Sequence, residues 1–142
     1  AEEWDVMKQH VVIGKKLCDG LFTMRKVLPI IYCHHERWDG GGYPNGLKGN
    51  EIPLIARVFQ VVDIYDALAN ERPYKKAFSH EKIIEILKEE VDKGWRDPAI
   101  VSAFIEIIEN RPEILQLPKD YKDKSIKIFE DIINPSGIKM AL

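Results

Sequence analysis

The chain has 142 residues, 45% of them apolar and 31% charged, with 21 basic side chains against 23 acidic ones and a net charge of −2. A chain of this size buries roughly 70% of its unfolded surface, enough for one self-sufficient domain. The even charge balance excludes a general nucleic-acid binder, and no apolar run approaches the ~18 residues of a membrane span, so the expected setting is cytoplasmic. Cys18 and Cys33 match neither a CxxC pair nor a disulfide scaffold and read as reduced thiols without a role.

Residues 2–18 carry Trp4, Met7, Val11 and Val12 at helical spacing, acids in the first turn, and Lys15 and Lys16 near the end, which predicts an amphipathic helix. With no initiator Met and no signal-peptide core before that pattern, the chain reads as a piece of a longer one. Residues 24–36 predict a second helix, with Pro29 near its start or at a kink and His34 and His35 at its C-terminal end.

From Asp39 to Pro53 there are five glycines and two prolines in fifteen residues, a composition that predicts an ordered series of turns. Then "LIARVFQVVDIYDALAN" is apolar nearly all round, as in a central helix buried on most sides, and its only acids are Asp63 and Asp66. Pro73 breaks it, Ser79 supplies an N-cap, and the next helix runs to a stop at Gly94. Asp97-Pro98 restarts a helix, and residues 120–134 predict a last one, with Ile126, Phe129, Ile132 and Ile133 on one side. The expected fold is all-α, a bundle of about six helices.

The chemistry concentrates in the adjacent pair His34 and His35. Consecutive residues of a helix diverge by ~100°, so the pair is better placed to serve two neighbouring ions than to chelate one. Two divalent ions ~3.5–4 Å apart clamp a phosphodiester and activate water at neutral pH, whereas a lone histidine such as His10 is more often a hydrogen-bonded core group. Asp63, among apolar neighbours, would need a cation if buried. Asp66 reads as orienting or capping. Arg72 and Lys75 read as helix-end charges or as phosphate and guanine contacts. The loop glycines Gly40, Gly41, Gly42, Gly46 and Gly49 serve either positive backbone angles or close approach to a ligand.

"HHERWDGGGYPNGLKGNEIPLIAR" together with "DIYDALANERPYK" closely resembles the signature of the HD-GYP family, a subgroup of the HD metal-dependent phosphohydrolases, over about 107 of the 142 residues. The resemblance implies an HD-like helical domain over residues 1–112, with residues 113–142 a helical extension. It implies hydrolysis of cyclic di-GMP to pGpG or GMP with two or three divalent ions, iron or manganese, in the full-length parent, with partial or no metal occupancy in this chain alone. It carries His10, His34, His35 and Asp63 over as metal ligands, and Arg72, Lys75, Gly42, Tyr43 and Pro44 as nucleotide-contacting or loop positions. Relatives commonly add a receiver or sensor domain upstream.

The family's namesake His-Asp pair and its following lysine are not in this chain, so an N-terminally truncated domain, inactive by itself, is expected. Its exposed apolar faces would then be covered by a homodimer or by rearrangement. The competing readings are a degenerate HD-GYP module that binds a nucleotide or protein without hydrolysis, and an HD phosphohydrolase acting on another nucleotide. "VVD" and "KGWRDP" depart from the usual "VAD" and "GTHFDP" of relatives and read as packing changes.

Overall fold

A computed structural model describes the backbone of residues 2–71 and 76–115 and the side chains of 6–71 and 76–113. The described residues are helical and contain no strand: α1 (Glu2–Cys18), α2 (Leu28–Cys33), α3 (Leu54–Ala69), α4 (His80–Asp92) and α5 (Pro98–Asn110), joined by turns and short 3-10 segments. The helix expected over 120–134 lies outside the described residues.

Each boundary has a local cause. In α2, Pro29 occupies the first turn, where its missing N–H costs nothing, and the helix lasts only six residues. The Ser79 hydroxyl accepts the Lys82 N–H at the start of α4. At its end, Trp95 N–H donates to Glu90 O and Gly94 N–H to Val91 O, both at 2.8 Å, with Gly94 at φ 74°. That is the paired closure of a Schellman turn, which requires a left-handed residue. The Asp97 carboxylate then accepts the Ala99 and Ile100 N–H groups and starts α5.

Residues 1–106 form one compact unit, and a second begins at Ile107. In the first, α1 packs on α2, α2 on α3, and α3 on α4. Its main core joins Val61 of α3, Ile83 and Leu87 of α4, and Val101 and Ile105 of α5. A smaller cluster of Cys33, Ile52 and Ala56, flanked by Tyr32 and Leu47, sits under the glycine loop. In the second unit, residues 107–115 comprise the end of α5 and a 3-10 turn, Pro112–Leu115.

Helix α3 departs from the buried helix its composition suggests. Ala56, Gln60 and Val61 face inward, but Leu54, Ile55, Val58, Phe59 and Val62 form an exposed stripe. Apolar content all round the helix does not say which side tertiary structure covers. The inward Gln60 is satisfied, because its amide donates to Cys33 O at 3.2 Å and Glu36 O at 2.9 Å.

Candidate metal centre

The short α2 changes the geometry expected for the adjacent histidines. The helix ends at Cys33, His34 is its C-cap, and His35 lies in the following turn, so the two rings do not diverge. Their centroids are 4.1 Å apart, and both face His10 of α1. One ring nitrogen from each of His10, His34 and His35 falls within 4.8 Å of the others, a group that can hold a metal ion.

Hydrogen bonding fixes two of these rings. His10 Nδ1 lies 2.6 Å from Met7 O, and His34 Nδ1 lies 3.0 Å from Ile30 O and 3.1 Å from Ile31 O. A carbonyl only accepts, so Nδ1 carries a proton in both rings, and in the neutral imidazole Nε2 then carries the lone pair. The two Nε2 atoms then face each other at 3.5 Å. Opposed lone pairs call for something electrophilic between them, and two imidazoles ~2.1 Å from one tetrahedral ion would sit about 3.4 Å apart. The donor set and its carbonyl-anchored tautomers therefore fit a divalent metal.

His35 is half-buried. Burial first, then repulsion from His34, His10 and Arg96, pulls its pKa from 6.5 down to about 4. It is a neutral, available ligand at pH 7. His10, by contrast, is exposed: its side of α1 also carries the exposed Val6, Ile13 and Leu17, while Val11 is buried and Gly14 lies against Ile31 of α2. It is not the core histidine its helix suggested.

The glycine loop folds back onto the histidine turn. Tyr43 N–H donates to His35 O at 3.1 Å, and the Tyr43 ring stacks on the His35 imidazole at 4.7 Å and 21°. Gly42 lies against residues 36 and 37, where a Cβ would meet Arg37 N and come within 2.5 Å of Glu36 C and Cα. Its closeness is thus to its own chain. Gly40, Gly46 and Gly49 take positive φ, and the Tyr43-Pro44 bond is cis. The far side of the loop is anchored by Trp38 N–H to Trp95 O and Asp39 N–H to Gly94 O, while the Arg37 guanidinium lies 4.3 Å over Trp95. Trp95 and Arg96, the departures in "KGWRDP", hold this seam, with Arg96 also facing Glu90 at 2.9 Å.

Sequence reasoning assigned no role to Glu36. It is fully buried, and its carboxylate accepts the N–H groups of Asn45 at 2.8 Å and Leu47 at 2.9 Å. The available signal was an acid directly beside two histidines and ahead of a loop rich in unpaired backbone donors.

Asp63 is exposed, not enclosed by its apolar neighbours, and is not among the donors that converge in the described residues. It lies one turn after Phe59, whose ring meets His34 edge-on at 6.3 Å. Asp66 is also exposed and accepts from the Asn70 side chain at 2.8 Å, the capping role. Arg72 and Lys75 lie outside the described residues. Cys33 is buried and its thiol pKa is raised by burial and by Glu36, as befits an inert packing residue.

Residues 1–100 match the HD domain family, and the chain belongs to it. It is 36% identical over 137 residues to a probable cyclic di-GMP phosphodiesterase of Vibrio cholerae, covering 89% of this chain and 30% of that protein. A cyclic di-GMP phosphodiesterase of Thermotoga maritima is 34% identical over 121 residues, covering 84% and 33%. A 3'3'-cGAMP-specific phosphodiesterase of Vibrio cholerae is 35% identical over 108 residues, covering 75% and 20%. The chain thus spans a fifth to a third of the length of these curated relatives.

Proposed function

We propose that the chain carries part of the metal centre of a cyclic di-GMP phosphodiesterase of the HD-GYP subgroup, forming pGpG or GMP. The facing lone pairs of His10 and His34, with His35 beside them, carry this reading. A divalent metal bound there, one of two or three and iron or manganese, supplies Lewis-acid polarisation of a phosphodiester and activation of water.

The chain's own residues hold the ions and shape the entrance. His10, His34 and His35 are the ligands, and Asp63 is a further ligand by resemblance to the family alone. Gly42, Tyr43 and Pro44 form the loop beside the nucleotide, while Arg72 and Lys75 contact its phosphates or guanine. Among the described residues the converging donors are three imidazoles, which by themselves do not make a complete binuclear site, and the same reading has the chain inactive on its own. No helix among the described residues is long and apolar enough to cross a membrane. A cytoplasmic location, an attached sensor or receiver domain and self-association through the exposed apolar stripes belong to the same reading.

A second reading, favoured by the likeness to a 3'3'-cGAMP-specific enzyme, is a preference for that cyclic dinucleotide. Assaying the full-length protein against both substrates separates the two. His34→Ala in that protein is expected to abolish metal content and hydrolysis together, and retained hydrolysis would contradict the assignment.

A further inference from the structure

Of the three histidines, two are oriented by their own helices: carbonyl groups one turn back accept the Nδ1 protons of His10 and His34. Among the described residues, no hydrogen bond holds either ring nitrogen of His35. What touches its ring instead is Tyr43, stacked at 4.7 Å and 21°.

Tyr43 is itself held from below. Its N–H is tied to His35 O, Gly42 packs on the backbone of residues 36 and 37, and the N–H groups of Asn45 and Leu47 further along the loop end on the Glu36 carboxylate. The Glu36 backbone is fixed in turn by Gln60 of α3. An ionised acid accepts both N–H groups and donates none, so the side chain fits this position as a carboxylate and not as an amide.

We infer that Glu36 and Tyr43 are positioning residues for the metal centre. The buried carboxylate pins the loop, and the loop lays the Tyr43 ring against His35, setting the plane of the one ligand that has no hydrogen bond to orient it. This inference rests on reading the three histidines as metal ligands. Ring stacking does the positioning, so the Tyr43 hydroxyl is dispensable while the aromatic face is not.

The test is a cobalt(II) titration of the chain, read by d–d absorption, with helix content followed by circular dichroism. Tyr43→Phe is expected to bind cobalt as the wild type does. Tyr43→Leu and Glu36→Gln are expected to keep their helices, to bind about 10- to 100-fold more weakly and to show an altered spectrum. Tyr43 is only partly buried, so its variants are readable even if Glu36→Gln disturbs folding. Equal affinity and spectrum in wild type, Tyr43→Phe and Tyr43→Leu would overturn the inference, as would equal weakening in both Tyr43 variants. A wild type that binds no cobalt would instead overturn the metal assignment beneath it.

Discussion

Arg57 of α3 donates to Asp97 at 2.7 Å across forty residues of sequence, and the two side chains are only 13% and 4% exposed. The same aspartate caps α5 through its other oxygen, and the Arg57 guanidinium lies 5.6 Å over Trp38 of the glycine loop. One ion pair thereby ties α3, the start of α5 and the segment leading into the glycine loop that packs against the histidine turn. Removing either partner leaves an uncompensated buried charge. Asp97→Ala, which also removes the cap, is expected to cost about 3–5 kcal/mol in urea unfolding, and a loss under 1 kcal/mol would contradict this account.

Gly42 and Gly20 make a matched comparison. A methyl group at Gly42 would meet the backbone of residues 36 and 37, which cannot swing aside as a side chain can, whereas Gly20 has nothing within 4 Å. Gly42→Ala is expected to lose about 1–3 kcal/mol and to displace Tyr43 from His35, seen as a shift of His35 ring resonances. Gly20→Ala should be within about 0.5 kcal/mol of wild type.

The pH dependence of the metal-free chain follows from His35. Its pKa is lowered from 6.5 to about 4 in the folded state, so between those values the unfolded chain binds more protons. Stability from this group is full above about pH 6.5 and is lost as pH falls toward about 4. After allowance for solvent screening of a half-exposed ring, the loss is on the order of 1 kcal/mol. Unfolding midpoints measured with a chelator present should decline over that window, and His35→Asn should flatten the decline. An unchanged slope in the variant would rule the cause out.

Much of the frame is legible in the sequence because its signals are local. Ser79, Gly94 and Asp97-Pro98 end or start helices through hydrogen bonds to residues a few positions away, and each does so where expected. The histidine pair also stands out in the sequence, and the described residues bring it together with His10. What escaped depended on contacts far along the chain. That α2 stops after six residues, letting His35 turn back toward His34, is invisible to periodicity. So is the burial of Glu36, whose partners lie nine and eleven residues away. The exposure of Asp63 and of one side of α3 depends on what packs there, and an all-round apolar helix does not encode that.

Among the described residues, Leu54, Ile55, Val58, Phe59 and Val62 of α3 and Val6, Met7, Ile13 and Leu17 of α1 are exposed and apolar, the kind of surface that self-association covers. Sedimentation of the chain is expected to show concentration-dependent association, which Val58→Glu should reduce without changing helix content. A monomer at all concentrations would contradict this.

The central claim is that His10, His34 and His35 form one metal-binding group. Equilibrium dialysis of the metal-free chain against manganese(II) at pH 7.5, for wild type and for His10→Ala, His34→Ala and His35→Ala, tests it most directly. Saturable binding by the wild type, weakened at least about 10-fold by each substitution, is the predicted result. Binding indifferent to all three substitutions, or no binding by the wild type, would contradict it.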